Sequence, residues 1–315
     1  MSTIPIHAPQ RLLRFRAADG FLISALLVTN ASSSPADMLQ IPILLQVPGM
    51  IGHFLARGTP RLLPHALLAH GFHSLSINTR LASAGQMTGH GIFDDTIHDI
   101  DAAIELLVQQ GFQKIFLLGY SLGASMVVHW AAHRQHPRVR GLILEGVGFS
   151  LPDSHRTRWE KWGSSPTYTE VYERAKAILG ADPYHAPDDE VFVVYQASGS
   201  SREPIHSEIY TYKTWWFMIG PEAHQAMTHR HIATVTVPVL LLRGAHDELV
   251  ESWEPEALAR IVHAAGRANI RVRQIPGAGH DCMENPEAMV QEIVQMMSER
   301  PAAFDDEENG NKSAR

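Results

Sequence analysis

The stretch from Lys114 to His136 constrains the fold of this chain more than any other part of its sequence. It holds a short apolar run, then the pattern G-x-S-x-G at Gly119–Gly123, then a segment with helical spacing. A turn this tight between a strand and a helix strains the backbone of Ser121 and exposes its hydroxyl, and side chains in place of the two glycines would collide with the neighbouring strand or helix. The pattern predicts a nucleophile elbow, with the amide of Leu122 free at a helix N-terminus.

Apolar runs and helical spacing alternate over most of the chain. The predicted strands are Arg11–Arg16, Phe21–Thr29, Ile41–Val47, His73–Asn78, Ile115–Gly119, Val139–Val147, Val237–Arg243 and Ile270–Ile275. The predicted helices are Pro60–His70, a helix capped by Asp94 or Asp95 and running to Gln110, Ser121–Arg134, Glu254–Ala265 and Pro286–Ser298. This alternation predicts an α/β fold with a mostly parallel central sheet flanked by helices, preceded by an antiparallel hairpin.

Residues 149–236 break the alternation and are rich in aromatic side chains. Helical spacing extends over Glu170–Leu179 and Ser207–Met218, whereas Pro183–Pro204 reads as looped or partly extended. We expect an insertion between the sixth and seventh strands of the sheet. Its aromatic side chains either form a core of their own or line a ligand pocket.

Charge and composition limit the partners. The formal net charge of −7, without a basic stripe, argues against nucleic acid, and no apolar run approaches the ~20 residues of a membrane helix. The start of the chain, Met1–Gln10, lacks a charged segment followed by a long apolar one, so we expect no signal peptide and a cytoplasmic protein. Cys282 is the sole cysteine, which rules out an intrachain disulfide.

Two loops after predicted strands carry residues that could activate a serine. Gly244–Glu248 contains Asp247, and Pro276–Asp281 contains His280. A serine hydroxyl becomes a nucleophile when a histidine takes its proton and a carboxylate orients that histidine. Because the carboxyl ends of parallel strands meet in one crevice, we expect these side chains to lie near Ser121.

Other residues compete for these roles. Glu248, Asp281 and Glu145 are alternatives to Asp247, but Gly146 directly after Glu145 favours a structural role for that glutamate.

His246 is an alternative to His280, although adjacent residues in such a loop tend to point apart. His129 and His133 have the i, i+4 spacing of zinc ligands but no further ligand nearby, so packing is the favoured interpretation. A redox role for Cys282 stands against a buried apolar one, which is favoured.

Gly119–Gly123, Gly244–Asp247 and Gly277–His280 resemble the corresponding motifs of the α/β-hydrolase superfamily, of the esterase- and lipase-like serine hydrolases in particular. The β/α order across residues 11–298 has the same resemblance.

The resemblance implies a catalytic triad of Ser121 as nucleophile, Asp247 as acid and His280 as general base. It also implies an oxyanion hole made by the backbone amides of Leu122 and Met50, with Ile51 as the alternative to Met50. Many members begin the latter loop with His-Gly, whereas this chain has Pro-Gly there.

The domains implied are a hydrolase core over 1–148 and 237–300, a lid over 149–236 and a disordered tail over 301–315. The expected reaction is hydrolysis of a small-molecule carboxylic ester, thioester, lactone or activated amide through an acyl-enzyme, without cofactor or metal. Acyl transfer on the same triad and a non-catalytic ligand-binding protein are the alternatives. An aminopeptidase is disfavoured because the His-Gly-Gly-Pro-Gly loop of the proline iminopeptidase relatives is absent.

Overall fold

The computed structural model describes residues 10–29, 34–50, 52–86, 90–197 and 205–299. Its strands are β1 (Gln10–Arg16), β2 (Leu22–Val28), β3 (Ile43–Val47), β4 (His73–Asn78), β5 (Ile115–Tyr120), β6 (Val139–Glu145), β7 (Val191–Ala197), β8 (Ile205–Thr211), β9 (Val239–Gly244) and β10 (Ile270–Ile275). Its α-helices are α1 (Pro35–Gln40), α2 (Thr59–Ala69), α3 (Thr96–Gln109), α4 (Leu122–His133), α5 (Leu151–Lys161), α6 (Tyr168–Leu179), α7 (Tyr212–Met218), α8 (Thr228–His231), α9 (Trp253–Ala264) and α10 (Pro286–Ser298). The predicted tail, 301–315, lies outside the described residues.

Eight strands form the central sheet in the order β1-β2-β4-β3-β5-β6-β9-β10. The pair β1–β2 is an antiparallel hairpin and β2 is antiparallel to β4, while the pairings from β4 to β10 are parallel. The predicted mostly parallel sheet with an antiparallel start is confirmed.

The central strands are buried on both faces, which is why they read as continuous apolar runs. Along β5, Ile115 and Leu117 pack into the core under α3 and α4, whereas Phe116 and Leu118 pack into the core under α2 and α10. The same period of two places alternate residues of β9 in the two cores. Helices therefore cover the sheet on both sides, and the loops at the carboxyl ends of the strands remain available for a site.

The segment 149–236 contains α5, α6, the antiparallel hairpin β7–β8, α7 and α8. Its aromatic rings largely pack on one another: the ring centroids of Trp159 and Tyr168 lie 5.9 Å apart, and those of Tyr168 and Trp215 lie 5.1 Å apart. The prediction of a helix over Ser207–Met218 is wrong in its first part, because β8 runs to Thr211 before α7 begins. Pairing with β7 holds this stretch extended, so alternate residues of β8 are buried, and this period of two replaces the expected helical period.

Over the residues that the structure describes, no helix is both long and apolar enough to cross a membrane.

Candidate active site

The turn between β5 and α4 holds Ser121 at φ 53° and ψ −120°, a left-handed conformation that is costly for any residue with a side chain. Its amide donates to the carbonyl of Glu145 over 2.8 Å, which fixes the turn to the neighbouring strand β6. A Cβ atom on Gly119 would lie 2.4 Å from Ala124 Cα, and one on Gly123 would lie 2.3 Å from the carbonyl oxygen of Val47. Two glycines are thus required by close backbone approach, as the sequence pattern predicted.

A histidine and an aspartate meet at the ends of β9 and β10. His280 Nδ1 lies 2.9 Å from Asp247 Oδ2, although the two residues are 33 positions apart in sequence. The other carboxylate oxygen, Asp247 Oδ1, accepts from the amides of Leu249 and Val250 over 2.8 and 3.0 Å. Burial works to raise the pKa of Asp247, but the hydrogen bond and charge of His280 and the two amides outweigh it, so the pKa lies below its usual value.

The absence of a side chain at Gly146 makes room for the imidazole ring of His280. A Cβ atom on Gly146 would lie 2.7 Å from His280 Cε1, and the ring of His280 lies beside that of Tyr120, with centroids 5.4 Å apart. Within the described part of the chain, the buried His280 Nε2 has no hydrogen-bond partner.

Ser121 and His280 line one cavity of about 220 Å³. The β3 loop, α4, the 149–236 segment and the loops after β6 and β9 also contribute to its wall, which includes Met50, Leu122, Leu151, Arg158, Trp162, Glu208 and Leu249. Burial of the substrate in such a concave, partly apolar space is typical of small-molecule sites.

The two residues expected to supply oxyanion amides, Leu122 and Met50, both line this cavity. Leu122 is the first residue of α4, where the helix leaves its first amides without an intrahelical partner. Met50 lies in the turn after β3, and the preceding Gly49 allows that turn to pass the serine, since a Cβ there would lie 3.0 Å from Ser121 Cβ. The alternative donor, Ile51, lies outside the described residues.

Glu145, the alternative acid, contacts a different group. Its Oε1 accepts from Thr59 Oγ1 over 2.6 Å, and its side chain is fully buried beneath the sheet end. Burial, reinforced by the negative charges of Asp281 and Asp247, raises the pKa of Glu145 to about 8, although the Thr59 hydroxyl opposes the shift. A carboxyl with this raised pKa is mostly protonated at pH 7 in the folded protein.

Glu145→Gln should abolish part of the pH dependence of stability. The pKa of Glu145 is raised from 4.5 to about 8. Its contribution to the free energy of unfolding is therefore fully present below pH 4.5 and is lost as the pH rises through 8. We expect the free energy of unfolding of the wild type to fall relative to that of the variant over this window, by a few kcal/mol at most (~1.4 kcal/mol per pKa unit). Urea denaturation at pH 5, 7 and 8.5 measures this difference.

The matched control is Glu248→Gln, which removes an exposed carboxylate from the same region. Parallel pH profiles for wild type and Glu145→Gln would show that the buried carboxyl ionises normally.

The remaining alternatives lie elsewhere. His246 and Glu248 are exposed, and Asp281 Oδ1 accepts from the amide of Met283 over 3.2 Å. Cys282 is buried, and burial together with nearby carboxylates raises the pKa of its thiol, which keeps it protonated and unreactive.

The helical pair His129 and His133 packs ring against ring, with centroids 4.7 Å apart and His231 alongside. His129 Nε2 lies 3.1 Å from the carbonyl oxygen of Asp94, and burial lowers the pKa of His129 to about 4. In the described ranges, no three or more His, Cys, Asp or Glu side chains are grouped as a metal site would require.

Sequence reasoning missed Arg158 on α5 and Glu208 on β8 as cavity residues, and it did not single out Trp162 among the aromatic residues of 149–236. A local signal for α5 was present. Ser150 caps this helix by accepting from the amide of Asp153, and Pro152 occupies its first turn. A serine or threonine followed three residues later by an acidic residue, with a proline between them, is typical of a helix start.

The sheet order, the strained serine at the β5–α4 turn and the loops after β9 and β10 define the α/β-hydrolase fold. Residues 43–287 match the family Hydrolase_4, described as serine aminopeptidase, S33, and the chain belongs to this family.

Solved structures share the fold at low identity. An esterase of Pyrococcus furiosus superposes with a TM-score of 0.63 at 14% identity, over 92% of this chain and 91% of that one. Est1E from Butyrivibrio proteoclasticus, solved with ferulic acid bound, gives a TM-score of 0.58 at 17% identity, over 90% of this chain and 97% of the other.

One sequence relative is named as a synthase and not as an esterase. The 2-succinyl-6-hydroxy-2,4-cyclohexadiene-1-carboxylate synthase of Serratia proteamaculans is 22% identical over 235 residues, which are 66% of this chain and 79% of the relative. Identity at this level supports common ancestry of the fold and leaves the reaction to be argued from the site.

Proposed function

We propose that this protein is a serine hydrolase that cleaves a carboxylic ester, or a related thioester, lactone or activated amide, through an acyl-enzyme. One observation carries the proposal: the strained Ser121 and the Asp247-bound His280 line the same cavity. Strained serines in this turn expose Oγ to the substrate, and a histidine bonded to a carboxylate through Nδ1 keeps Nε2 available as a base.

In the proposed reaction, Ser121 Oγ attacks the carbonyl carbon while its proton moves to His280 Nε2. The tetrahedral intermediate collapses, and the imidazolium gives that proton to the departing alcohol. A water molecule then loses a proton to His280, attacks the acyl-enzyme and releases the carboxylic acid, and Ser121 regains its proton. Asp247 holds the imidazole tautomer and stabilises its charged form.

The amides of Leu122 and Met50 are proposed to hold the oxyanion. The position of Leu122 at the start of α4 supports this role, since helix N-termini favour negative charge. Each donor would contribute roughly 3–4 kcal/mol to transition-state stabilisation if it behaves like other oxyanion donors.

The segment 149–236 is proposed to act as a lid on a core formed by 1–148 and 237–300. Leu151, Arg158 and Glu208 of this segment line the cavity over Ser121, which supports the assignment. Since an alcohol is an easier leaving group than an amine, esters are favoured over the peptides that the family description suggests. The disfavoured aminopeptidase activity is the competing outcome of the test below.

A substrate panel tests the proposal. p-Nitrophenyl esters of rising acyl length, a lactone, a thioester and aminoacyl p-nitroanilides are compared by kcat/KM. We expect the highest values with an ester, and a clear optimum in acyl length because the cavity is small. A p-nitroanilide as the best substrate would favour an aminopeptidase, and no turnover of any acyl substrate would contradict the proposal.

A further inference from the structure

Arg158 brings a positive charge to the wall of the cavity that contains Ser121 and His280. It lies on α5 and is half-buried, and its guanidinium stacks over the ring of Trp162, 5.9 Å from the centroid. Its Nη1 donates to the carbonyl oxygen of Leu249 over 2.9 Å. These contacts hold the guanidinium between α5 and the loop that carries Asp247.

Most N–H groups of the Arg158 guanidinium have no hydrogen-bond acceptor among the described residues. Arginine has five N–H bonds in a rigid fork, and among the described residues the structure engages only Nη1, with a neutral carbonyl. No side-chain carboxylate in those residues forms an ion pair with Arg158. Burial lowers the pKa of Arg158, and nearby Glu254 and Glu208 oppose that shift, so the side chain remains a cation at neutral pH.

The acidic side chains nearest to it are already engaged. Glu208 accepts from the hydroxyl of Tyr210, and Asp247 binds His280 and two backbone amides. Glu254 accepts from the amides of Phe149 and Glu251 over 2.6 and 2.8 Å. None of these three carboxylates hydrogen-bonds Arg158, whose recorded hydrogen bond goes to the carbonyl oxygen of Leu249.

Glu254, Glu208 and Asp247 balance part of the charge of Arg158 at longer range. Among the described residues none of them forms a direct ion pair with it, so the unused N–H groups of the guanidinium are open to an anionic ligand. A carboxylate matches the planar fork with two parallel hydrogen bonds, which a neutral group cannot reproduce. We propose that the unpaired guanidinium of Arg158, in the wall of the Ser121 cavity, binds a carboxylate of the substrate. The inference rests on the proposed function and narrows its substrate class to esters that carry a second, ionised carboxyl group.

Two matched pairs of esters test the inference. Mono-p-nitrophenyl adipate is compared with its terminal amide, and 4-acetoxybenzoate with 4-acetoxybenzamide, so that the carboxylate lies in turn on the acyl side and on the leaving-group side. We expect kcat/KM to favour the carboxylate by about 10- to 100-fold in at least one pair. Ratios near one in both pairs would overturn the inference.

Variants of Arg158 test whether its guanidinium causes the preference for the carboxylate over the amide. Arg158→Gln should bring the ratio to about one, and Arg158→Lys, which keeps the charge without the fork, should retain part of it. The matched control is Arg156→Gln on the same helix, which removes an equal charge from an exposed pair with Glu160. A ratio that survives in Arg158→Gln, or that falls equally in Arg156→Gln, would contradict the assignment.

A binding measurement separates this inference from the proposed function. Calorimetric titration of the Ser121→Ala protein with monomethyl adipate and with its neutral amide reports the anion site without turnover. If the wild-type protein hydrolyses no ester but the Ser121→Ala protein binds the carboxylate selectively, the proposed function alone is contradicted. If the wild-type protein hydrolyses neutral esters but the Ser121→Ala protein does not prefer the carboxylate to the amide, the inference about Arg158 alone is contradicted.

Discussion

Ser121→Ala is expected to lower kcat for ester hydrolysis by up to ~10⁶-fold, the loss seen when a triad of this kind is deprived of its nucleophile. The alanine variant cannot form the acyl-enzyme. What remains is attack by water on a carbonyl that the proposed oxyanion amides of Leu122 and Met50 would still polarise, and oxyanion stabilisation and binding alone leave a small residual rate. Steady-state kinetics with the best p-nitrophenyl ester measures the loss.

Ser125→Ala is the matched control for this variant. Ser125 lies one turn further along α4, faces the same cavity and hydrogen-bonds Thr228 Oγ1 over 3.1 Å. Its hydroxyl is held by that partner at a position without the strained turn, so its loss should affect kcat far less. Comparable losses in the two variants, or a Ser121→Ala enzyme that keeps most of its activity, would contradict the role given to Ser121.

Asp247→Asn should lower kcat by about 10⁴-fold, the scale of this substitution in other triads. The amides of Leu249 and Val250 both require an acceptor at the Oδ1 position, so the asparagine oxygen stays there. The asparagine Nδ2 then faces His280 and donates to Nδ1. This hydrogen bond forces the proton of the neutral ring onto Nε2, which can no longer accept the proton of Ser121.

Glu145→Gln is the control at the other acid considered for the triad. Its carboxyl contacts Thr59, and protonation at pH 7 removes the charge that an orienting acid needs. Activity should stay within a few-fold of wild type. If Asp247→Asn remained near wild type while Glu145→Gln lost activity, Glu145 would be the triad acid.

The sheet was predictable from sequence because its signals are local. Buried parallel strands such as β5 and β9 are recognisable as continuous apolar runs. The two glycines of the elbow are recognisable because the backbone lies too close there for any side chain. The proximity of Asp247 and His280 follows from the same topology, since β9 and β10 are neighbouring parallel strands. A loop position after each strand was therefore enough to propose the pair.

The 149–236 segment was less predictable because its structure depends on tertiary contacts. Pairing with β7 places Glu208 and Tyr210 on the same, buried face of β8, and Tyr210 within a run of aromatic residues imitates a helical pattern. In α5 the buried residues Pro152, His155 and Trp159 are few and not all apolar, so the hydrophobic period is weak. The placement of Arg158 in the cavity wall depends on this packing and has no local signature.

Labelling with a fluorophosphonate probe tests the central claim most directly, because such a probe reacts with a serine only when the serine is activated as a nucleophile. Native protein is treated with the probe, digested, and mapped by mass spectrometry, with Ser121→Ala and heat-denatured protein alongside. We predict a single adduct on the peptide that carries Ser121, absent from both controls. An unlabelled native protein, or an adduct on another residue, would contradict the assignment of Ser121 as an activated nucleophile.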